Sequence, residues 1–322
     1  MKAVIRRKYG PPEVLEFVEV EKPVPKVGEV LIRVHAASVN QYDWHFLSAD
    51  IFLLRLMGGG LFRPKNPRLG SDMAGRVETV GGEIGRFKPG DEVFGTIDGS
   101  FAEYVCAPED ALALKPTNCT FEDAAALPMA ARTALQGLRD AGNVTKGQKV
   151  LINGSSGGVG TFALQLAKHF GAEVTAVCSA GNVELARSLG ADEVIDYTKE
   201  DFTKSSRRYD LILAANGYHP LSAYKRALAP KGIYVMAGGS TAQILQALLW
   251  GPLLSEKGGR RLGALTATRS PEDLLLLKGL VEAGIVVPVI DRRYSFAETA
   301  EALRYLGAGH ARGKVVIAMV EG

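Results

Sequence analysis

The sequence predicts an α/β protein of two domains, a partly open β-barrel and a doubly wound parallel sheet. Short strand-like segments separated by turns fill about the first 120 residues. Beyond them, near-continuously apolar strands alternate with helical segments, which is typical of a parallel sheet covered on both faces. A length of 322 residues also fits two domains of roughly 150 residues each. We assign residues 1–122 and 272–322 to the first domain and 123–271 to the second.

The strand candidates of the first domain share a composition. Their β-branched and aromatic residues alternate with polar ones or follow a turn rich in glycine. Residues 314–319 also predict a strand, which we expect to return to this first domain. The remaining segments are 29–34, 75–80, 93–95 and 101–105.

The second domain begins with a change of pattern after Phe121. An alanine-rich helix is predicted over 122–139, and later helices end at Phe170 and Leu189 because a glycine follows each. Apolar strands separate these helices. The strands are 149–153, 173–178, 193–197, 209–214, 232–237 and 262–266.

The composition excludes several classes of protein. Apolar residues make up 47% and charged residues 23%, which are ordinary globular values. A net charge of +3 does not indicate a nucleic-acid partner. Cys106, Cys119 and Cys178 are widely spaced, which argues against a disulfide framework and favours a cytoplasmic protein. We expect no signal peptide, and the longest apolar stretch, 244–254, is far shorter than the ~20 residues of a transmembrane helix.

A glycine-rich turn, N-G-S-S-G-G-V-G at 153–160, lies between a predicted strand and a predicted helix. This context is what a dinucleotide fingerprint requires. Gly157 would let the backbone approach a pyrophosphate, and Gly160 would let the helix pack closely on the strand. Ser155 occupies the first glycine position of the fingerprint. A tight structural turn is the alternative, but the βα units that follow favour a cofactor site at the helix N-terminus.

The end of the second strand bears on the choice of cofactor. An NAD site usually has an Asp or Glu there to hold the ribose hydroxyls. This chain has Ser179, so no carboxylate would repel a 2′-phosphate. The sequence therefore favours NADPH, with NADH as the alternative.

Several motifs together resemble one superfamily. They read A-S-V-N-Q-Y-D-W at 37–44, L-G-S-D-M-A-G at 69–75, F-K-P-G-D-E-V at 87–93, A-L-P at 126–128 with T-A at 133–134, L-G-A-D at 189–192 and G-K-V-V at 313–316, besides the glycine turn. With these motifs the chain resembles the medium-chain dehydrogenase/reductase superfamily over nearly its whole length. Within it, the likeness is to the zinc-independent quinone oxidoreductase, or zeta-crystallin-like, branch.

The resemblance implies a GroES-like barrel wrapped by both termini, a Rossmann domain and a cofactor in the cleft between them. The NADPH-binding branch often has a Lys or Arg shortly after the second strand, where this chain has Gly181. We therefore expect Ser179, Asn182, Tyr197 and Lys199 to hold the phosphate, with a core aromatic as the alternative role for Tyr197. The full set of expected cofactor contacts is Thr133, Gly154, Ser155, Gly157, Gly158, Val159, Ser179, Asn182, Tyr197, Asn216, Gly238, Gly239 and Lys314.

The resemblance also shows that zinc ligands are missing. Zinc alcohol dehydrogenases of this superfamily hold the catalytic metal with Cys, His and Cys. The corresponding positions here are Asn40, Ser71 and about Met129, which are poor zinc ligands, and the lobe with four structural cysteines has no counterpart. We therefore expect no metal. The histidines, His35, His45, His169, His219 and His310, are scattered without ligand spacing.

Reduction of a conjugated carbonyl needs no metal. Hydride adds to an electron-poor carbon, and hydrogen-bond donors stabilise the resulting oxyanion. An unactivated alcohol is a harder substrate, because its alkoxide benefits from zinc. Asn40 and Tyr42 lie on the loop that the resemblance places at the cleft, so we expect both to be catalytic, with loop capping as the alternative for Asn40. Asp43, assigned to the same catalytic group, is expected to fix that loop.

The predicted function is NADPH-dependent reduction of quinones or α,β-unsaturated carbonyls. The alternatives are a zinc-free alcohol or aldehyde oxidoreductase and a non-catalytic NADPH-binding protein. Apolar segments 52–57 and 244–254 predict a small lipophilic substrate, or else are core helices. Nearby cations allow peripheral membrane contact. The resemblance also implies a homodimer, because Rossmann domains of this superfamily often pair through an edge strand, here 262–266, and an unpaired apolar edge is a liability. The cations are Arg55, Lys257, Arg260 and Arg261.

Overall fold

The computed structural model describes residues 1–49 and 60–319, without the side chain of Thr241. The predicted apolar segment 52–57 therefore lies outside the described residues. Two compact units are present. Unit 1 comprises Met1–Met129, Arg269–Gly284 and Pro288–Gly322, and unit 2 comprises Ala130–Thr268 and Ile285–Val287.

The strands of unit 1 form mainly antiparallel sheets. β1 and β2 form a two-stranded sheet, while β3 pairs with both β4 and β6, and β5 lies between β4 and β7. Alternate residues of β3, namely Val30, Ile32 and Val34, are fully buried in the core of this unit. The strands are β1 (Lys2–Arg6), β2 (Leu15–Glu19), β3 (Glu29–Val39), β4 (Asp72–Val80), β5 (Glu92–Thr96), β6 (Tyr104–Pro108) and β7 (Leu112–Leu114).

Two sequence predictions in this part of the chain differ from the structure. The strand predicted at 101–105 begins only at Tyr104. Phe101 is instead buried between two other segments of the chain. Its N–H donates to Leu69 O, and its carbonyl accepts from Val4 N. The helix predicted over 122–139 is broken where Pro128 starts a new helix, since proline lacks the N–H that would continue the preceding one.

The helices that flank these changes are short. α1 (Gln41–Ser48) follows β3, and α2 (Phe121–Ala125) packs on β3 and β4. α3 (Pro128–Gln136) continues into a π-helical turn, Gly137–Ala141. Because α2 contacts these strands, the division between the units follows residue 129 rather than 122.

Unit 2 contains a six-stranded parallel sheet in the order β10-β9-β8-β11-β12-β13. The order reverses between β8 and β11, and ligands of such sheets bind outside the carboxyl ends of the strands at that switch point. The predicted doubly wound sheet is confirmed. The strands are β8 (Lys149–Asn153), β9 (Glu173–Cys178), β10 (Glu193–Asp196), β11 (Tyr209–Ala214), β12 (Leu228–Met236) and β13 (Arg261–Ala264).

The helices of unit 2 follow its strands in turn. The longest, α4, has a buried face of small and apolar side chains, including Phe162, Ala163 and Leu166. Besides α3, most of which lies in this unit, the helices are α4 (Gly158–His169), α5 (Val183–Ser188), α6 (Leu221–Ala227), α7 (Thr241–Leu249) and α8 (Gly251–Leu254).

The chain then returns to unit 1, as predicted for residues 314–319. β15 (Lys314–Ala318) lies between β3 and β14 (Ile290–Ser295) in the larger sheet. α9 (Pro271–Glu282) and α10 (Thr299–Gly307) also belong to this unit. Over 1–49 and 60–319, no helix is long and apolar enough to span a bilayer.

Candidate active site

The glycine turn of unit 2 has the geometry of a dinucleotide-binding loop. Gly154 has a φ of +81°, a left-handed conformation that favours glycine. A Cβ on residue 160 would lie 2.1 Å from the carbonyl oxygen of Gly154, so only glycine lets α4 start this close to β8. A Cβ on Gly157 would meet no described atom closer than 3.6 Å. Space is thus open at the N-cap of α4, where a phosphate would bind.

Ser155 stabilises this turn from within. Its backbone N–H and its Oγ each donate to Val177 O at 3.1 Å, and the N–H of Gly154 donates to the same oxygen at 3.2 Å. The serine at the first fingerprint position is therefore buried in the turn. Gly158 and Val159 follow in the first turn of α4, where backbone N–H groups have no intrahelical partner. Those groups can bind a pyrophosphate.

Ser179 and Asn182 lie together beside the turn. Asn182 Nδ2 donates to Ser179 Oγ at 3.0 Å and to Ser156 Oγ at 3.2 Å. Asn182 Oδ1 is buried and has no hydrogen-bond partner within the described part of the chain. An unpaired buried acceptor fits a hydroxyl donor such as that of a ribose. These residues therefore fit a nucleotide cofactor.

The aromatic side chains near the end of β10 are exposed. Tyr197 is 50% exposed and Tyr218 48%, and their ring centroids lie 5.9 Å apart. The alternative interpretation of Tyr197 as a core residue is therefore wrong. Lys199 Nζ lies 3.5 Å from Asp196 Oδ2, so a carboxylate already pairs with this cation. Tyr218 was not among the predicted cofactor contacts. Its position two residues after the predicted contact Asn216 was the sequence signal that could have indicated it.

Three further predicted residues lie at the carboxyl ends of β11 and β12. Asn216 approaches the glycine turn, since its Cβ would be 2.6 Å from a Cβ on Gly154. Gly238 O accepts from Gly217 N, and Gly239 has a φ of +145°. Thus the structure gathers the predicted residues of unit 2 along one sheet edge, except for Thr133. That residue lies on α3, and no described contact joins it to the turn.

Unit 1 holds the predicted residues Asn40, Asp43 and Lys314 in a buried polar cluster, which also contains Ser71 and Asp72. Asp72 was not predicted as a site residue. Asn40 Nδ2 donates to Asp72 Oδ2 at 3.0 Å and to Ser71 Oγ at 3.2 Å. Asn40 Oδ1 accepts a hydrogen bond from Lys314 Nζ. Both ends of the Asn40 carboxamide are therefore held by the protein, and Lys314, expected at the cofactor, bonds to Asn40.

Asp72 is the main acceptor of this polar cluster. Besides Asn40, its carboxylate accepts from Ser38 Oγ at 3.3 Å, Thr96 Oγ1 at 3.1 Å and the Met129 N–H at 3.2 Å. Lys314 Nζ lies 3.9 Å from Asp72 Oδ2. The positions that resemblance aligns with zinc ligands thus do meet, but they bond to Asp72 and to each other. In the residues described, no cluster of His, Cys, Asp or Glu could hold a metal, and metal independence stays a prediction.

Burial dominates the electrostatics of the polar cluster. It raises the pKa of Asp43 to about 7, with Asp72 adding to the rise, although the Asn40 N–H, Ser71 and Lys314 oppose it. Burial also lowers the pKa of Lys314, against the attraction of Asp72 and Asp43. Asp43 Oδ2 accepts from the Asn40 N–H at 2.8 Å and from Ser71 Oγ at 3.2 Å, which fixes the start of α1.

An Asp43→Asn variant is expected to flatten the pH dependence of stability. The carboxyl has an ordinary pKa of 3.8 in the unfolded chain and a pKa of about 7 in the folded one. Between these values the folded chain keeps a proton that the unfolded chain loses, so the free energy of unfolding falls as pH rises, by up to about 1.4 kcal/mol per pH unit. Urea denaturation across this window measures the slope. An unchanged slope in Asp43→Asn, with the exposed Asp110→Asn as control, would show that another group titrates.

A cavity of unit 1 opens beside this cluster, and Tyr42 and Asp43 both line it. The Tyr42 ring packs on Phe46 with centroids 4.4 Å apart, and 41% of the residue is exposed. Burial, with Asp98 and Asp43 adding, raises the pKa of Tyr42, so its hydroxyl keeps its proton at neutral pH. Tyr42 can therefore donate a hydrogen bond to a carbonyl oxygen.

Comparison with known proteins identifies the class. Residues 26–117 match the model of the alcohol dehydrogenase GroES-like domain, and residues 189–317 match that of zinc-binding dehydrogenases. The chain therefore belongs to the medium-chain dehydrogenase/reductase superfamily, which confirms both the predicted family and the predicted GroES-like and Rossmann fold.

Particular relatives are oxidoreductases. The chain is 38% identical to 2-methylene-furan-3-one reductase of Solanum lycopersicum, over 98% of this chain and 79% of the relative. It is 35% identical to the chloroplastic NADPH-dependent alkenal/one oxidoreductase of Arabidopsis thaliana, with the same coverage. The solved quinone oxidoreductase of Coxiella burnetii superposes with a TM-score of 0.88 at 31% identity, over 99% of both chains.

Proposed function

We propose that this chain catalyses NADPH-dependent reduction of quinones and α,β-unsaturated carbonyls. The observation that carries this proposal is the chemistry at the aligned zinc positions: the Asn40 amide and the Met129 N–H donate to Asp72, and the Ser71 hydroxyl donates to Asp43. Amide nitrogens and hydroxyls are poor zinc ligands, whereas conjugated acceptors need only hydride and hydrogen-bond donors. The names of the relatives support the same reaction.

The residues of the chain have distinct roles in this proposal. When bound, the nicotinamide supplies the hydride. The glycine turn, the first turn of α4 and Asn182 would hold its nucleotide part. Tyr42 donates a hydrogen bond to the substrate oxygen, where negative charge develops during hydride addition. Asn40 and Lys314 act as positioning residues that fix the start of α1, the helix that carries Tyr42.

The test is oxidation of NADPH, followed by its absorbance, with a panel of acceptors. The panel contains a quinone, an enone, a saturated aldehyde and a saturated ketone, with and without EDTA. We expect turnover with the first two acceptors and no effect of EDTA. Turnover confined to the saturated carbonyls would favour the alternative alcohol or aldehyde oxidoreductase. Binding of NADPH without turnover of any acceptor would favour a non-catalytic protein.

Preference for NADPH over NADH is proposed from Ser179, which lies within 3.0 Å of Asn182 Nδ2. Ser179→Asp places a carboxylate beside the 2′-phosphate, so NADPH affinity is expected to fall by about 1–3 kcal/mol, as is typical of close charge effects. NADH affinity is expected to be retained. Titration of both cofactors measures this, with Ser179→Asn as the neutral control. Equal binding of both cofactors by the wild type would contradict the preference.

We also propose a homodimer formed through β13, which lies at the edge of its sheet. The adjoining helices α7 and α8 expose large apolar side chains, and an unpaired edge next to them would favour association. Light scattering is expected to give twice the chain mass, and Leu253→Glu to shift it toward the monomer; a wild-type monomer would exclude the dimer. The exposed side chains are Leu245, Leu248, Leu249, Trp250 and Leu253.

The same apolar patch bears on two other predictions. Residues 244–254 cover most of α7 and all of α8. Their side chains are partly buried and partly exposed, so these are not simply core helices. A lipophilic substrate and peripheral membrane contact remain proposals supported by this exposure.

A cytoplasmic location also remains a proposal, supported by three cysteines that are free thiols.

A further inference from the structure

Arg6, the last residue of β1, is a buried cation, and two of its guanidinium nitrogens have no hydrogen-bond partner among the described residues. It is 3% exposed, and the two nitrogens are Nε and Nη1. Its guanidinium lies 5.2 Å from the ring centroid of Tyr9. Burial lowers the pKa of Arg6, but a guanidinium keeps its charge at neutral pH. Unpaired buried charges destabilise a fold, so a missing counter-ion calls for an explanation.

Arg6 lines the cavity described above, together with Tyr42 and Asp43. Two other cations, Lys65 and Arg68, line the same cavity. Its carboxylates supply little compensation. Asp98 Oδ1 already pairs with Arg269 at 3.2 Å, and Asp43 attracts Arg6 but has its own pKa raised to about 7 by burial, which reduces its negative charge. Among the described lining residues, three cations therefore face two carboxylates, and positive charge is in excess.

We propose that this cavity binds the oxyanion of a substrate, a carboxylate or a phosphate, and that Arg6 determines the preference for it. The guanidinium presents its N–H donors in a rigid fork that matches such anions. The Tyr42–Phe46 pair offers apolar surface to the hydrocarbon part of the same molecule. This inference rests on the proposed function, and it narrows the acceptor to a carbonyl compound that carries an acidic group.

The first experiment compares an enone bearing a terminal carboxylate with its methyl ester, at saturating NADPH. Wild type is expected to prefer the acid in kcat/KM by about ten- to a hundred-fold, the effect of a charge-assisted hydrogen bond. Arg6→Gln is expected to remove this preference while still reducing the ester. Arg7→Gln is the matched control, because Arg7 is exposed and pairs with Glu16 at 3.0 Å. It is expected to leave the preference intact.

A second measurement does not depend on turnover. Butyrate and butyl phosphate are added to the protein without substrate, and the Tm is recorded. We expect an increase in wild type and in Arg7→Gln and none in Arg6→Gln; the more effective anion identifies carboxylate or phosphate as the ligand group. Should Arg6→Gln fail to fold, Arg6→Lys keeps the charge and is expected to retain part of both effects.

The outcomes separate the two proposals. No preference for the acid in wild type, or the same preference in Arg6→Gln, overturns the role of Arg6 and leaves the proposed function standing. Lack of turnover with both enones and with the quinone of the acceptor panel overturns the proposed function. In that case, an anion-induced rise in Tm that requires Arg6 still supports the site, and its absence overturns it.

Discussion

Replacement of Gly157 by alanine is expected to raise the Kd for NADPH by about a hundred-fold or more while the fold survives. The added methyl group would have no described protein atom within 3.6 Å, so the turn accommodates it. It would occupy the open space at the N-cap of α4, where a pyrophosphate must approach the backbone closely. Titration of NADPH by fluorescence measures the loss, and thermal unfolding is expected to show a small change, since glycine and alanine at an N-cap differ by roughly 1 kcal/mol.

Gly160→Ala is the informative companion to that variant. Its methyl group would lie 2.1 Å from Gly154 O and 2.7 Å from two backbone atoms of Ser155. We therefore expect both the stability and the cofactor binding to be lost, because α4 must move away from β8. Normal NADPH binding by Gly157→Ala would show that no phosphate approaches residue 157, and the cofactor site would then need another location.

Lys314→Met is expected to lower the free energy of unfolding by about 3–5 kcal/mol, as is usual when one partner of a buried charge pair is removed. Lys314 is 3% exposed, and its ammonium bonds to Asn40 Oδ1 and, at 3.3 Å, to Val39 O. Without it, the fully buried Asp72 loses the cation that lies 3.9 Å from its Oδ2. Urea denaturation at neutral pH measures the change.

Two further variants test that explanation. Arg312→Met removes an exposed cation two residues earlier and is expected to change stability by less than about 0.5 kcal/mol. Adding Asp72→Asn to Lys314→Met removes the uncompensated charge, so part of the lost stability should return. A loss below 1 kcal/mol in Lys314→Met alone would mean that the polar cluster does not depend on this ammonium.

Much of the fold could be predicted from the sequence because its signals are local. The parallel strands of unit 2 are continuous apolar runs, and glycines mark where their helices end. Predictions were less accurate where a backbone partner from elsewhere decides the conformation. Phe101 looks like the start of a strand, but its backbone bonds to Leu69 and Val4 instead.

The glycine turn and the polar cluster also differ in how far they could be predicted from the sequence. The glycine turn could be predicted because strand, turn and helix follow one another within 153–160. The polar cluster could not, since Asn40 and Lys314 are 274 positions apart. The pairing of β15 with β3 brings them together. The importance of Arg6 likewise depends on what surrounds it, which one sequence does not show.

The position of β15 also has a consequence for the order of assembly during synthesis. Every strand of the parallel sheet precedes β15 in the chain, so unit 2 has its sheet complete while the larger sheet of unit 1 still lacks β14 and β15. The ribosome therefore produces the N-terminal strands first. Asn40 and Asp72 can contact Lys314 only after nearly the whole chain has been synthesised. Chains cut short before residue 314 would carry the carboxyl groups of Asp43 and Asp72, both buried in the full-length protein, without the ammonium of Lys314. Such incomplete products would be unstable and open to proteolysis, which links catalytic competence to full-length translation.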